Sequence, residues 1–178
     1  MTWPVPQAAD ACTAEVTVVQ TGGPAQGSFL EVGTVYTIEY TATDGCGNSA
    51  ICTFTVEVLD VQAPEIDCPG NQFLPTDPGV CYATVQTGPG NPLHPVVLYD
   101  NCDYEIEYQL TGATNSMGWQ SGMVPGGTQF NLGDTRVRYR VTDPSGNQVI
   151  CSFWVYVTDE EAPTVVACPD DIEVDNDL

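Results

Sequence analysis

The sequence contains no lysine, one histidine and only three arginines, against 24 aspartates and glutamates in 178 residues. Its formal net charge is therefore -21. A surface with this charge repels nucleic acids and anionic membranes and attracts cations. Calcium is the natural extracellular partner of clustered carboxylates. We therefore expect no nucleic-acid partner and no membrane insertion, and calcium is the one cofactor to consider.

The spacing that zinc sites need is also missing. The eight cysteines form no Cys-x-x-Cys pair, and the only histidine, His94, lies between Leu93 and Pro95. Structural zinc sites need closely spaced thiolates or imidazoles, so a disulfide framework explains the cysteines better. Disulfides persist in oxidising compartments, which predicts an extracellular or cell-surface location.

Signals for membrane crossing and for catalysis are scarce. No apolar run approaches ~18 residues, and no charged-then-apolar leader opens the chain. We therefore expect a piece of a secreted protein whose targeting segment lies elsewhere or has been removed. There is no Gly-x-Ser-x-Gly motif, and nothing singles out two carboxylates that would face a cleft. We predict that the chain is not an enzyme.

Two long phrases recur at a spacing of 99 residues. ICTFTVEVLD (51–60) returns as ICSFWVYVTD (150–159), and YTATDGCGN (40–48) returns as YRVTDPSGN (139–147). A repeat of about 100 residues is the size of a domain and longer than a solenoid repeat. We predict the later part of one repeat (1–60), a complete repeat (61–160) and the opening strand of a third (161–178).

The local pattern is that of β-strands throughout. Apolar and polar residues alternate along TVYTIEYTAT and CTFTVEVLD, and DGCGN and DPSGN supply turn residues between paired strands. The alternation is strict from Arg136 to Val141, and it continues around Ile172 and Val174 in the tail. Many short strands between Pro and Gly turns predict an all-β fold of tandem immunoglobulin-like β-sandwich repeats of about 100 residues.

The spaced residues resemble the hyalin repeat (HYR) family. The matching positions recur in order: Phe29, Gly33, Tyr40, Ala42, Asp44, Gly47, Asn48, Ala50, Cys52, Phe54, Val56, Val58, Asp60, Ala63, Pro64, Cys68 and Pro69. The segment TDPGVCYATV (76–85) is similar to versions in long bacterial surface proteins. The pattern departs at Ser145, which stands where the other copy has Cys46, and in the loop 110–130. The resemblance implies an immunoglobulin-like fold and a role in extracellular adhesion or as a stalk module, without catalytic residues.

Two disulfide schemes are open. In the first, Cys68 at the start of the first strand of the repeat bridges Cys151 at the start of its last strand, since these strands often lie side by side in such sandwiches. The other bridges of this scheme lie within one repeat: Cys81 with Cys102, and Cys12 with Cys46. In the second scheme the bridges cross the joints between repeats: Cys52 with Cys68, and Cys151 with Cys168. We favour the first scheme.

The first scheme leaves Cys52 and Cys168 to pair outside their own repeats. The tail of one molecule could then complete the head of the next by strand addition. Such a head-to-tail contact builds a filament. The alternative is that the chain is part of a longer array of repeats.

Acidic residues gather at the joints between repeats: Asp60 at the first joint, and Asp159, Glu160 and Glu161 at the second. Carboxylate oxygens suit calcium, and a shared ion would stiffen the joint. The alternative is a solvated acidic turn, because no complete motif such as D-x-D-x-D-G is present.

Two further aspartates, Asp44 and Asp143, open the hairpin turns. Aspartate at such a position commonly accepts hydrogen bonds from its own backbone. We therefore predict a structural role for both residues.

The three arginines, Arg136, Arg138 and Arg140, lie on one face of a single predicted strand. They could hold an anionic glycan, but we expect pairing with acids on an adjacent strand, such as Glu105 and Glu107. The other copy has Thr37, Glu39 and Thr41 at the matching positions. The basic stripe is therefore not a property of the repeat itself.

The loop 111–127 is longer than its counterpart in the first copy and contains Met117, Trp119 and Met123. Insertions on a rigid scaffold often carry binding. The alternative is a hairpin tip whose tryptophan packs back onto the sheet or contacts a neighbouring repeat.

Two functions are consistent with these features. The first is a structural repeat module of a bacterial surface adhesin or extracellular filament, in contact with neighbouring repeats or identical subunits. The second is an adhesion module that binds a glycan or a surface protein through the loop 111–127.

Overall fold

A computed structural model describes residues 1–12, 15–171 and 173 of the chain. Every regular element in this part is a β-strand, so the all-β prediction is confirmed. The chain separates into two compact units, Met1–Gln62 and Ala63–Leu178. No helix in the described part is long and apolar enough to cross a lipid bilayer.

The first unit contains a three-stranded antiparallel sheet. Its strands are β1 (Val16–Gly22), β2 (Val35–Asp44) and β3 (Ser49–Glu57), in the order β1-β2-β3. Alternation along β2 buries Ile38 and Tyr40 on one face of the sheet. Within the described residues of this unit, no strand pairs with the outer edge of β3.

The second unit contains the remaining nine strands. They are β4 (Glu65–Asp67), β5 (Gln72–Pro75), β6 (Tyr82–Thr84), β7 (Val97–Tyr99), β8 (Glu105–Gly112), β9 (Gln120–Ser121), β10 (Gln129–Asn131), β11 (Gly133–Thr142) and β12 (Gln148–Thr158). The main sheet has the order β5-β12-β11-β8-β9, and two shorter pairs are β6-β10 and β4-β7.

The core of the second unit lies between the five-stranded sheet and the β6-β10 pair. The sheet residues of the core cluster are Leu110, Val137, Tyr139, Phe153, Val155 and Val157. They pack in one cluster with Ala83 of β6 and Phe130 of β10. Two layers of strands around a single core give the immunoglobulin-like sandwich that the sequence pattern predicts.

Tyr139 ties two loops to the centre of this core. Its hydroxyl donates to the carbonyl oxygen of Leu93 at 3.0 Å and accepts from the N–H of Val124 at 3.2 Å. The side chain is fully buried, and burial raises its pKa to about 12. The hydroxyl therefore stays protonated and keeps both hydrogen bonds at neutral pH.

The repeated phrases form hairpins with the same register. Tyr36 of β2 pairs with Val56 of β3, and the residues 99 positions later, Thr135 and Val155, pair across β11 and β12. Local sequence and strand pairing are thus repeated together.

The predicted opening strand at 161–178 is not seen in residues 161–171, which form no regular element. Ile172 and Val174, around which that strand was predicted, lie outside the described residues. The repeat boundaries at 60 and 160 stay predictions.

Candidate functional site

A disulfide in the second unit joins the segment between β4 and β5 to β12. Cys68 is bonded to Cys151, with their Cα atoms 5.8 Å apart. β5 runs parallel to β12 with Gln72 opposite Val155, a separation of 155 − 72 = 83 residues. The two cysteines are also 83 residues apart, so the bond lies where the parallel register would continue.

This bond decides between the two disulfide schemes. Cys68, which lies between β4 and β5, and Cys151 in β12 form the pair that the first scheme predicts. The second scheme is wrong, because Cys68 and Cys151 are bonded to each other and cannot also bridge Cys52 and Cys168.

The structure leaves several exposed cysteines as thiols: Cys12, Cys46, Cys52, Cys81 and Cys168. The bridges Cys81–Cys102 and Cys12–Cys46 are not formed in it and stay predictions for the oxidised protein. The pairing of Cys52 and Cys168 outside their own repeats also stays a prediction.

The aspartates at the hairpin turns have the predicted structural role. In the first unit Oδ1 of Asp44 accepts from the N–H groups of Cys46 and Asn48 at 2.9 and 2.8 Å. The Nδ2 group of Asn48 donates to Oδ2 of Asp44 at 2.9 Å. These bonds from Asn48 lower the pKa of Asp44.

Asp143 repeats this arrangement in the second unit. The N–H and the Nδ2 group of Asn147 each donate to its carboxylate at 2.8 Å. Burial acts to raise the pKa of Asp143, but the hydrogen bonds from Asn147 and the turn backbone outweigh it, so the pKa is lowered.

The acids at the joints also accept backbone hydrogen bonds. Oδ1 of Asp60 accepts from the N–H of Gln62 at 3.1 Å, and Oδ1 of Asp159 accepts from the N–H of Glu161 at 3.0 Å. The carboxylate of Glu161 in turn accepts from the N–H of Gly79 at 2.8 Å. These contacts shape the turns, and calcium binding by Asp60 and by 159–161 stays a prediction.

The three residues selected in the loop 111–127 occupy different environments. Met123 packs against the core of the second unit, whereas Met117 is 97% exposed. The ring of Trp119 packs back onto the sheet, with the guanidinium carbons of Arg138 and Arg140 at 5.1 and 4.4 Å from the ring centroid. The structure therefore does not bring the three side chains together as one site.

Only one of the three arginines pairs with a carboxylate among the described residues. Nε of Arg140 donates to Oε2 of Glu107 at 2.9 Å, as the sequence predicts. Arg136 instead donates to the Ser152 hydroxyl at 3.0 Å, and Arg138 donates to Oε1 of Gln109 at 3.2 Å. Two guanidinium groups thus have neutral partners in a strongly acidic chain.

A row of stacked aromatic rings lies on the same outer face of the sheet. Phe73 and Tyr156 have ring centroids 5.0 Å apart, and Tyr156 and Trp154 have centroids 6.3 Å apart. Trp154 is the cross-strand partner of Arg136, so the rings adjoin the arginines. We name Phe73, Trp154, Tyr156, Arg136 and Arg138 the arginine–aromatic face.

Reasoning from the sequence missed this face. The alternation of ICSFWVYVTD already places Trp154 and Tyr156 opposite the buried Phe153 and Val155. Phe73 joins them only because β5 pairs in parallel with β12, and no local pattern predicts that neighbour.

The second unit is thus an all-β sandwich closed by a disulfide, and the turn aspartates recur in both units. The model of the HYR domain family matches residues 1–58 and 93–157. The chain belongs to this family, which confirms the resemblance seen in the sequence.

Several relatives share most of the chain. Hyalin from Lytechinus variegatus is 33% identical over 97% of the chain, which spans 29% of that protein. The Mus musculus "Sushi, von Willebrand factor type A, EGF and pentraxin domain-containing protein 1" is 32% identical over 88% of the chain and 4% of its own length. The "Serine-rich adhesin for platelets" of Staphylococcus aureus (strain MRSA252) is 26% identical over 68% of the chain and 8% of its own length. The chain thus spans less than a third of each of these relatives.

Proposed function

We propose that the chain is a non-catalytic structural module of a secreted or cell-surface adhesion protein, in which HYR repeats follow one another along the polypeptide. The similarity to an adhesin and the segment 76–85 support a bacterial surface protein as the setting. The repeated hairpin register supports the tandem arrangement.

The observation that carries this function is the Cys68–Cys151 bond. It closes 83 residues of the second unit into a covalent loop. Tension on the two ends of the unit would pass from β4 through the disulfide into β12, so most of the domain would not be stretched. Once the disulfide is reduced, the same pull would reach β5 and load the hydrogen bonds of the parallel β5-β12 pair in shear. These are properties that a load-bearing spacer needs.

Single-molecule stretching of the whole chain, tethered at both ends, tests the proposal. The oxidised second unit should resist extension within the disulfide loop. Reduction should release the 83 residues, which adds about 270–300 Å of contour length at the usual 3.3–3.6 Å per residue.

The variant in which Cys68 and Cys151 are both replaced by serine is the matched control, and it should behave as the reduced protein without any reductant. Equal contour lengths before and after reduction would contradict the load-bearing role.

A second proposal is head-to-tail assembly by strand addition, and the open edge of β3 favours it. Cys52 on β3 lies 99 residues before Cys151, and Cys168 lies 100 residues after Cys68. Cys52 and Cys168 are thus related as the two bonded cysteines are, and both are exposed thiols. The segment that begins at Cys168 of one molecule would pair with β3 of the next, as β5 pairs with β12.

Mild oxidation followed by non-reducing electrophoresis tests assembly. The wild-type chain should form a ladder whose cross-linked peptides contain Cys52 and Cys168. Cys168→Ser should abolish the ladder, whereas Cys46→Ser, which removes another exposed thiol, should leave it intact. A ladder that persists in Cys168→Ser would refute strand addition.

Calcium at the joint acids is a separate proposal, supported by the density of carboxylates at 159–161. Bound calcium should raise the melting temperature, because a ligand that binds only the folded state stabilises it. A melting temperature that does not change on addition of a chelator would contradict calcium binding by the folded chain.

A further inference from the structure

The outer face of the five-stranded sheet combines positive charge with exposed aromatic rings. We infer that the arginine–aromatic face binds an acidic polysaccharide, so that the second unit is a glycan-binding module as well as a spacer. The site lies on the strands β5, β11 and β12 rather than on the loop 111–127.

The charge of the chain supplies the first argument. All three arginines lie on β11, and the chain contains no lysine. The same chain has 24 aspartates and glutamates. Arg136 and Arg138 nevertheless donate to a hydroxyl and an amide oxygen, and no carboxylate in the described part of the chain forms an ion pair with them. Among the described residues, neither guanidinium group is therefore neutralised by a direct ion pair, and a carboxylate on the same face, Asp134 opposite Tyr156, lies two residues before Arg136. A carboxylate or sulfate group of a ligand would supply a counter-charge through short charge-assisted hydrogen bonds.

The aromatic rings supply the second argument. Phe73 is 75% exposed and Trp154 is 38% exposed, so a large apolar area remains in water. A sugar ring has one apolar face of C–H groups and a polar rim. The rings can cover the C–H face while an adjacent guanidinium binds an acidic substituent.

The shape of the site selects the kind of ligand. Sites for small molecules are usually concave, whereas this face is the outer surface of a sheet. Phe73 of β5 lies opposite Tyr156 of β12, and Trp154 lies two residues before Tyr156 on the same strand. Arg136 of β11 lies opposite Trp154. The row suits several consecutive sugars of a polymer better than a single small molecule.

The binding test uses the full chain and two acidic polymers, polygalacturonate and dextran sulfate, with uncharged dextran as the neutral control. Calorimetry in about 0.15 M NaCl suits the question, because the Debye length of about 8 Å screens long-range repulsion but not contacts. We expect binding to at least one acidic polymer and none to dextran. The preferred polymer distinguishes carboxylate from sulfate recognition.

Two substitutions copy residues from the matching face of the first unit. Arg136→Thr takes the residue at Thr37, and Trp154→Thr takes the residue at Thr55. Loss of one charged hydrogen-bonding group should weaken binding about tenfold, and the double variant should lose detectable binding. Thr37→Glu changes the net charge by the same amount as Arg136→Thr but lies on the first unit, so it should bind like the wild type.

Three results would overturn the inference. The first is no binding of either acidic polymer by a folded wild-type chain. The second is an equal loss in Arg136→Thr and Thr37→Glu, which would show a net-charge effect without a site. The third is self-association in sedimentation that Arg136→Thr abolishes while no polymer binds, which would make the face a protein interface.

Discussion

The hairpins β2-β3 and β11-β12 have the same strand register, but the side chains on their outer faces differ in chemical type. Their inner faces are alike, with Ile38 and Tyr40 buried in one and Val137 and Tyr139 buried in the other. The outer face of the first hairpin carries Thr37, Glu39, Thr41, Thr53 and Thr55, whereas the second carries Arg136, Arg138, Arg140, Ser152 and Trp154.

This difference shows which constraints the fold imposes. The inner positions must fill a close-packed core, so only apolar side chains of suitable size are tolerated there. The outer positions face water and can differ without changing the pairing. A repeat can therefore keep its architecture while a single copy acquires a separate binding face.

Among matched substitutions in the two hairpins, the largest difference in stability should come from removal of the disulfide. Cys151→Ser removes the bond of β12, and removal of a native disulfide from a small domain typically costs about 2–5 kcal/mol of stability. The second unit should lose most of that amount in denaturant unfolding. Cys52→Ser, at the matching position of β3, should leave the first unit unchanged because Cys52 is an exposed thiol. Equal losses in the two variants would contradict the assigned bond.

A smaller difference should separate the two buried tyrosines. Tyr139→Phe leaves the carbonyl of Leu93 and the N–H of Val124 without their partner inside the core, at a cost of about 1–3 kcal/mol. The hydroxyl of Tyr40 instead accepts from side chains, Nε1 of Trp3 at 3.2 Å and Nε2 of Gln26 at 3.3 Å.

These partners of Tyr40 are only partly buried, so water can replace the hydroxyl and Tyr40→Phe should cost less. The free energies of unfolding of the two variants measure the difference. A larger loss in the free energy of unfolding for Tyr40→Phe than for Tyr139→Phe would contradict the deeper burial of the Tyr139 hydrogen bonds.

The turn aspartates should make both hairpins sensitive to acid. The pKa values of Asp44 and Asp143 are lowered from 3.8 in the folded state. Their stabilisation is therefore complete above 3.8 and is lost as the pH falls through the lowered folded-state pKa.

Replacement of either residue by asparagine should lower the melting temperature at pH 7 and have little effect once the wild-type carboxylate is protonated. Asp143→Asn should have the larger effect, because Asp143 is buried whereas Asp44 is only half-buried. Melting curves between pH 2 and 7 would measure this, and a deficit that stays constant with pH would exclude a role of the carboxylate charge.

The smallest effect on stability is expected at the arginine–aromatic face. Arg136→Thr and Trp154→Thr change exposed side chains, and substitutions of this kind usually alter stability by about 0.5 kcal/mol or less. Matching melting curves would show that any lost polysaccharide binding reflects contacts and not unfolding. A loss of several kcal/mol would instead assign these residues to the fold.

Local sequence was sufficient to predict features that depend on a few neighbouring residues. The two hairpins, the buried face of β11 and the bonds of Asp44 and Asp143 follow from alternation and turn chemistry, and the structure contains all of them. The Arg140–Glu107 pair was also predictable, because it joins adjacent strands. The core position of Met123 was not, since it depends on how the loop 111–127 folds back over the sheet.

The path of the first strand is a second feature that local sequence could not predict. A single opening strand was predicted for the repeat, yet the four residues 68–71, which include Pro69, separate β4 from β5. β4 pairs with β7, and β5 pairs with β12. Proline cannot donate a hydrogen bond to a ladder, which is consistent with a break there, but the partner of each half depends on distant strands.

The sequence by itself determined the strand periodicity, the repeated turns and the family, because each depends on local pattern or on a recurring order of residues. Only the tertiary structure decided that Phe73 lies beside Tyr156, that Trp119 covers two arginines and that Arg136 and Arg138 lack a carboxylate partner. These relations join residues that are distant in the chain, and the packing of whole strands brings them together.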